Sequence, residues 1–176
     1  GLDGVRTWLL EVIPDNESIL DIGCGAGHVS EIFRRASRHN SYLGIDRYRE
    51  SIDFAKSLFP HAQFDYQDAC FLPYEDNSFD HTILFTVIEM MDDFRKPIEE
   101  AVRVAKKQTI IAIWKPLIDN PSHNSHNINS FGEYVVNINR KKFLERLDSF
   151  GYPVSSGTLT KNDQIQYWWW IIKKDE

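Results

Sequence analysis

Three glycines and two aspartates form the most distinctive pattern in this sequence. The sequence ILDIGCGAGHVS, residues 19 to 30, places Gly23, Gly25 and Gly27 between an apolar run and a segment with helical spacing. A folding argument alone does not put three glycines there, because each costs ordering entropy and buries no side chain. Asp21 stands just before them, and Asp46 ends the next predicted strand. The pattern predicts a strand, a bare turn and a helix N-terminus that together hold a cofactor.

The spacing of the glycines narrows the choice of cofactor. The dinucleotide fingerprint G-x-G-x-x-G needs its third glycine at the position that His28 occupies here. No Gly-Lys-Ser/Thr follows, so the phosphate-loop pattern is absent as well. A carboxylate at Asp46 can accept hydrogen bonds from both hydroxyls of a ribose, and its charge disfavours a 2′-phosphate. The residues alone therefore indicate a nucleotide-type cradle and leave its ligand open.

The predicted helices and strands around these residues alternate along the chain. Apolar spacing predicts helices at 5–12, 29–36, 52–58, 97–105 and 141–150, and apolar runs predict strands at 18–22, 41–46, 62–66, 81–86 and 109–114. This alternation is typical of a parallel sheet with crossover helices. Residues 117–138 are polar and predict a long loop, with or without a short helix. Strands at 154–160 and 165–172 then follow with a hairpin signal between them.

Length and composition limit the class of protein. The 176 residues suffice for one domain, 1–176, and 42% hydrophobic with 26% charged residues is a soluble globular balance. No apolar run approaches the roughly 20 residues of a membrane span. The net charge of −6 argues against a large nucleic-acid footprint. With no visible signal peptide and only Cys24 and Cys70, we expect reduced thiols and a cytoplasmic location.

Several segments resemble the motifs of the class I S-adenosylmethionine-dependent methyltransferases, in the right order across about residues 16–116. ILDIGCGAGHVS resembles the first motif, hydrophobic-LD-hydrophobic-GCGxG, and YLGID resembles the second. YQDACFLPYEDNSFDHTILFTVIEMMDD, residues 66 to 93, resembles the third and fourth motifs, and PIEEAVRVAKKQTIIAIWKP resembles the helix and strand that follow. The type 11, ubiquinone-biosynthesis-like branch is the most similar subgroup. The resemblance implies a Rossmann-like, doubly wound α/β fold: a seven-stranded sheet, mostly parallel, with a C-terminal antiparallel hairpin.

The resemblance also assigns a cofactor site for S-adenosyl-L-methionine, whose product is S-adenosyl-L-homocysteine. Asp21 would organise the glycine turn or meet the methionine amino group, Asp46 would hold the ribose hydroxyls, and Asp68 would reach the adenine amino group. The full set of implied cofactor residues is Asp21, Gly23, Cys24, Gly25, Gly27, Asp46, Arg47, Asp68, Ala69, Cys70, Thr86 and Val87. The sequence departs from the family at RVAKKQT, which lacks two glycines, and at Met90-Met91, where many relatives have a histidine and a small residue or proline.

Three residues are candidates for catalysis. Glu89 lies just after the fourth predicted strand and fits a base, a substrate contact or a helix cap, while His123 and His126 stand in the polar loop. A His-x-x-His pair can ligate a metal, but no neighbouring carboxylate or cysteine completes a site, so we expect none. A loop that faces the substrate is the favoured interpretation, since that region often covers the active site in the resembling family.

The predicted activity is methyl transfer from S-adenosylmethionine to oxygen, nitrogen or carbon of a small molecule. The segment TVIE stands where adenine N-methyltransferases have Asn/Asp-Pro-Pro-aromatic, and no Pro-Cys nucleophile is present for C5-pyrimidine chemistry. Two alternatives stay open. One is a methyltransferase that acts on protein or RNA, and the other is a catalytically silent binding or assembly module with this fold.

Overall fold

The computed structural model describes residues 3–119, 126–128, 134–161 and 164–174. Five α-helices lie in these residues: α1 (Asp3–Val12), α2 (His28–Arg35), α3 (Arg49–Leu58), α4 (Arg95–Val104) and α5 (Arg140–Asp148). The strands are β1 (Ser18–Ile22), β2 (Ser41–Asp46), β3 (Gln63–Tyr66), β4 (Phe79–Phe85), β5 (Ala105–Ile113), β6 (His126–Ile128), β7 (Tyr134–Val136), β8 (Val154–Lys161) and β9 (Gln164–Lys173). A short 3₁₀ helix, Ile88–Met90, follows β4.

Seven strands form one sheet in the order β3-β2-β1-β4-β5-β9-β8. β1 to β5 are parallel, and β9 and β8 close the sheet as an antiparallel pair. The predicted fold class is therefore confirmed. Because chain order reverses between β1 and β4, a crevice opens at the carboxyl ends of these central strands, which is where open α/β sheets bind ligands.

Helices cover both faces of the central strands because neighbouring apolar residues point to opposite sides. Ile19, Ile83 and Ile110 pack with α1 and α2 on one face. Leu20, Leu84 and Ile111 pack with α4 and α5 on the other face. Alternation also explains the three tryptophans of β9: Trp168 and Trp170 belong to the α4–α5 side and Trp169 to the α1 side, as their sequence positions predict.

The structure differs most from the sequence-based expectations at the start of β5 and in the described part of residues 117–138. β5 begins at Ala105, directly after α4, whereas the helix was expected to include that residue and the strand to start at 109. The glycines that usually form a turn here are missing, and the backbone of Ala105 is already extended. In the described part of 117–138, β6 and β7 pair antiparallel, so a small hairpin stands where a loop was expected. The apolar pair Val135 and Val136 is fully buried, which favours a strand.

Among the residues that the structure describes, no helix is both long enough and apolar enough to cross a membrane.

Phe143 anchors α5 to the sheet and provides a test of this packing. Its side chain is fully buried, with ring centroids 5.7 Å from Phe94 and 4.8 Å from Trp170. We expect Phe143→Ala to lower the free energy of unfolding in urea by about 3–5 kcal/mol, because it leaves a cavity between two layers. The neighbouring Leu144 is 39% exposed, so Leu144→Ala should cost less than about 1 kcal/mol. Equal losses in the two variants would contradict the packing described.

Candidate functional site

The glycine loop between β1 and α2 is fastened to the end of β2. The backbone N–H groups of Gly23 and Cys24 both donate to the carbonyl oxygen of Ile45, at 2.7 and 2.9 Å. The N–H of Gly25 donates to Oδ2 of Asp46 at 3.0 Å. These bonds fix the loop across the sheet crevice, so the path of its backbone follows from β2 as well as from its own sequence.

Packing explains two of the three glycines. Gly23 has φ +72°, and a Cβ there would lie 2.6 Å from Cγ2 of Val87. Gly27 has φ +78°, and its Cβ would lie 2.6 Å from the ring of Phe64. Left-handed backbone and close neighbours both exclude a side chain at these positions. Nothing lies within 4 Å of a Cβ at Gly25, so this glycine alone has no packing reason. The sequence interpretation, which attributed all three to a ligand, left out this structural requirement.

A cavity of about 640 Å³ opens beside the loop at the carboxyl ends of the strands. Its size suits a cofactor-sized ligand. Seven residues named from the sequence line it: Gly23, Gly25, Asp46, Arg47, Ala69, Thr86 and Val87. Six others were missed, namely Ile22, Ile45, Tyr48, Gln67, Met90 and Met91. Most of the missed residues directly follow or precede a named one at a strand end, which is the signal that could have found them.

Asp46 presents a carboxylate in the wall of this cavity. Its Oδ1 accepts from the N–H of Tyr48 at 2.9 Å, and its Oδ2 accepts from the N–H of Gly25. Each carboxylate oxygen has two lone pairs, so one on each remains for a further donor. The side chain is held by backbone on both sides and is 9% exposed. Such a fixed acceptor fits the vicinal hydroxyls of a ribose.

A second cavity, of about 220 Å³, shares Gly23, Gly25 and Thr86 with the first. Asp21, Cys24 and His28 also line it. The two cavities therefore meet at the glycine loop and at the residue that follows β4. Asp21 and Cys24, which do not line the larger cavity, face this smaller one.

Asp21 is a buried acid with one hydrogen bond from a side chain. The hydroxyl of Tyr42 donates to its Oδ2 at 2.5 Å. Burial raises the pKa of Asp21 to about 7, with the Tyr42 hydrogen bond opposing the rise and the charge of Asp46 adding to it. A cation bound in the smaller cavity would favour the ionised carboxylate. Burial also raises the pKa of the Cys24 thiol, which does not suit it as a nucleophile.

Thr86 has a strained backbone where the two cavities meet. Its φ is +56°, a conformation that is unusual for a β-branched residue. Its N–H donates to the carbonyl oxygen of Ala112 at 2.7 Å, which ties this turn to β5. Strain of this kind concentrates at ligand sites, and nothing in the sequence pattern predicted it.

The remaining cofactor candidates lie around the segment after β3. Ala69 lines the larger cavity. Asp68 is exposed, and its Oδ1 accepts from the N–H of Cys70 at 2.9 Å. Burial and the neighbouring Asp68 raise the pKa of the Cys70 thiol. Arg47 lies at the exposed rim, with its guanidinium 5.0 Å from the ring centroid of Tyr48.

Glu89 is not among the residues that line the larger cavity. Its side chain is fully buried; Oε1 accepts from the N–H of Trp114 at 3.1 Å, and Oε2 has no hydrogen-bond partner. Burial raises the pKa of Glu89 to about 7. His126 lies in β6, where its backbone pairs with Val136. His123 lies outside the described residues. Within the described ranges, no three His, Cys, Asp or Glu side chains cluster as metal ligands would.

Residues 20–113 match a protein family described as "Methyltransferase domain". Among proteins of known name, the chain is 29% identical over 123 residues to a demethylmenaquinone methyltransferase of Thermotoga maritima, covering 70% of this chain and 53% of that protein. It is 30% identical over 115 residues to the ubiquinone/menaquinone biosynthesis C-methyltransferase UbiE of Rickettsia bellii, covering 57% of this chain and 46% of that protein. The chain spans about half the length of these relatives.

The fold is also that of a solved structure, the YcgJ protein of Bacillus subtilis. The two superpose with a TM-score of 0.72 over 97% of this chain and 98% of the other, at 16% identity. The seven-stranded sheet and its flanking helices therefore belong to an architecture that occurs with widely different sequences.

The raised pKa of Asp21 predicts a specific pH dependence of stability. The folded protein holds the Asp21 proton up to about pH 7 and the unfolded chain only to about pH 4, so this residue destabilises the fold increasingly between those values. Asp21→Asn removes the penalty. We expect its advantage in free energy of unfolding over the parent to grow by about 3 kcal/mol from pH 4.5 to pH 8.

Urea denaturation at both pH values measures this difference. Asp53→Asn, at an exposed position of α3, is the matched control and should show no such growth. An Asp21→Asn difference that does not change with pH would mean that Asp21 is ionised throughout.

The backbone strain at Thr86 can be isolated with two substitutions that both remove the side chain. Thr86→Gly should be more stable than Thr86→Ala by about 1 kcal/mol, because only glycine adopts φ +56° without penalty. At an ordinary extended position the order is reversed. Thermal unfolding of the two variants decides between these outcomes, and an alanine variant that is the more stable would contradict the strained geometry.

Proposed function

We propose that this chain, which belongs to the methyltransferase domain family matched by residues 20–113, transfers the methyl group of S-adenosylmethionine to a small-molecule acceptor. The family match confirms the sequence-based identification as a class I S-adenosylmethionine-dependent methyltransferase of the type 11 branch. The class of the acceptor is the step beyond that identification.

The observation that carries the cofactor-binding part of the proposal is the Asp46 carboxylate, fixed in the wall of a cofactor-sized cavity by the N–H groups of Gly25 and Tyr48. Its free lone pairs fit ribose hydroxyls. Ala69 lines the same cavity on the side we propose for adenine. The family resemblance assigns Asp68 and Cys70 to that side as well. For the methionine end of the cofactor, Asp21 supplies a buried carboxylate in the adjoining smaller cavity. Burial raises the pKa of Asp21 to about 7, and a cation that binds beside it would favour the ionised carboxylate as its counter-ion.

The cofactor supplies a methyl group on a positively charged sulfur, with a good leaving group behind it. The protein has to align the acceptor and exclude water. We place the acceptor near Val87, Met90 and Met91, which line the larger cavity. These apolar side chains fit an uncharged organic molecule, and the flexible methionines adapt to its shape. The curated relatives are named for methyl transfer to demethylmenaquinone and in quinone biosynthesis, which supports a small acceptor of this kind.

An acceptor that carries a proton needs a base. Glu89 is the first candidate, since its buried carboxyl has a pKa near 7 and one oxygen without a partner. His123 and His126 are the other two candidates, from the segment that covers this side of the site in the resembling family. Glu89 would need the segment beside it to move before it touched an acceptor.

A second candidate function, a binding module without transfer activity, has one observation in its favour. None of the described residues that line the larger cavity is a His, Lys or Glu that could act as a base. Activity measurements, and not affinity, separate this candidate from the enzyme.

Calorimetry with S-adenosylmethionine and S-adenosylhomocysteine tests the cofactor site. We expect micromolar binding of both, and a loss of tenfold or more in affinity for Asp46→Ala, because hydrogen bonds to a carboxylate contribute about 1.5–3 kcal/mol. Asp53→Ala, an exposed aspartate of α3, should bind as the parent does.

Transfer of a radiolabelled methyl group to a panel of phenols, hydroquinones and amines then tests the activity. Absence of binding to either ligand, or an Asp46→Ala variant with unchanged affinity, would refute the cofactor site. Binding without transfer to any acceptor would favour the silent module.

A further inference from the structure

The segment between β3 and β4 lines the cofactor cavity but has no helix or strand of its own. Gln67 and Ala69 contribute to the lining, and residues 67–78 consist of turns and irregular backbone. A segment of this kind keeps one conformation only where its backbone polar groups have fixed partners. Those partners therefore determine how firmly the two lining residues are held.

Arg103 of α4 supplies several of these partners. Its guanidinium donates to the carbonyl oxygen of Leu72 at 3.0 Å and to that of Tyr74 at 2.7 Å. It also donates to Oδ1 of Asp76 at 2.9 Å, and the Arg103 carbonyl oxygen accepts from the N–H of Asn77 at 3.0 Å. One side chain and its own peptide group thus hold the second half of the segment.

Glu100, one turn earlier in α4, completes the arrangement. Its Oε2 accepts from the N–H of Leu72 at 2.9 Å and from Nη2 of Arg103 at 2.8 Å. Its Oε1 accepts from Nε of Arg103 at 3.1 Å. The Leu72 peptide is therefore held by Glu100 at its N–H and by Arg103 at its carbonyl. The Glu100 residue is 7% exposed, and charge-assisted hydrogen bonds at such a position are strong.

The arrangement is anchored in the core on one side and reaches the cavity on the other. The Leu72 side chain is buried among the residues that pack on α4, and Ala69 packs against the same cluster. Gln67 is tied to β2 by its N–H, which donates to the carbonyl oxygen of Asp46 at 3.1 Å. The segment is thus fixed at Asp46, the ribose candidate, and again at Leu72, with Ala69 between the two points.

We propose that Glu100 and Arg103 are positioning residues for the cofactor, which act by clamping the Leu72 peptide and thereby holding Gln67 and Ala69 against the bound adenosine. Neither Glu100 nor Arg103 is among the residues that line the cavity, so their effect passes through the segment. The identity of the ligand in this inference rests on the proposed function.

Arg103→Met tests the clamp, since methionine fills similar space but donates no hydrogen bond. We expect its affinity for S-adenosylhomocysteine in calorimetry to fall about tenfold, as small displacements of binding residues do. Arg103→Lys keeps the charge without the fork of donors and should fall by an intermediate factor. Asp76→Asn alters only the exposed end of the network and should stay within twofold of the parent.

A destabilised variant separates positioning from loss of stability. Val102 is buried in the core on the same helix, and its apolar side chain donates no hydrogen bond to the segment. Val102→Ala should therefore lower the melting temperature while leaving the affinity within twofold. Amide hydrogen exchange at residues 70–77, compared with that of β1, gives a measurement that needs no ligand. Arg103→Met and Arg103→Lys should both accelerate exchange in this segment selectively, and Val102→Ala should not.

Parent-like affinity in folded Arg103→Met and Arg103→Lys would overturn the proposal, as would an equal loss in Val102→Ala. If the parent itself bound neither S-adenosylmethionine nor S-adenosylhomocysteine, the proposed function would fail. Hydrogen exchange would still decide the clamp in that case, and unchanged exchange at 70–77 would overturn it independently.

Discussion

The attachment of the glycine loop to the end of β2 is the constraint on which the site depends. The loop directs the N–H groups of Gly23 and Cys24 to the Ile45 carbonyl and that of Gly25 to the Asp46 carboxylate. Because the loop is held across the crevice, its backbone is left-handed at Gly23 and Gly27 and passes too close to its neighbours there for a side chain. The same bonds orient Asp46. One set of hydrogen bonds therefore shapes the cavity wall and fixes its acidic group.

The site holds its acids in two different environments, and this division suits a ligand that is cationic at one end and hydroxylated at the other. Asp46 is stabilised by two backbone N–H donors. Asp21 and Glu89 are buried, and burial raises the pKa of each to about 7. A bound cation would lower the pKa of a carboxyl beside it, so binding and proton release are coupled wherever the cation lies against Asp21.

Sequence predicted the parts of this account that depend on local pattern. The strands and helices up to residue 113, the C-terminal hairpin and the lining roles of Asp46 and Ala69 follow from periodicity and from motif resemblance. Contacts between distant segments could not be predicted in this way. No short pattern connects Gly27 with Phe64, against which it packs, or Arg103 with Leu72, to which it donates a hydrogen bond. The strained φ of Thr86 likewise has no signal in the sequence around it. The hairpin of β6 and β7 was missed because the sequence around it is mostly polar and only Val135 and Val136 indicate a buried strand.

We infer that the cavity beside the glycine loop binds S-adenosylmethionine through Asp46. A crystal structure of the chain in complex with S-adenosylhomocysteine would decide this. We expect ribose hydroxyls within hydrogen-bond distance of the Asp46 carboxylate, adenine beside Ala69, and the sulfur close to Gly23 and Thr86. A ligand bound elsewhere, or one that leaves the Asp46 carboxylate without a ribose contact, would contradict it.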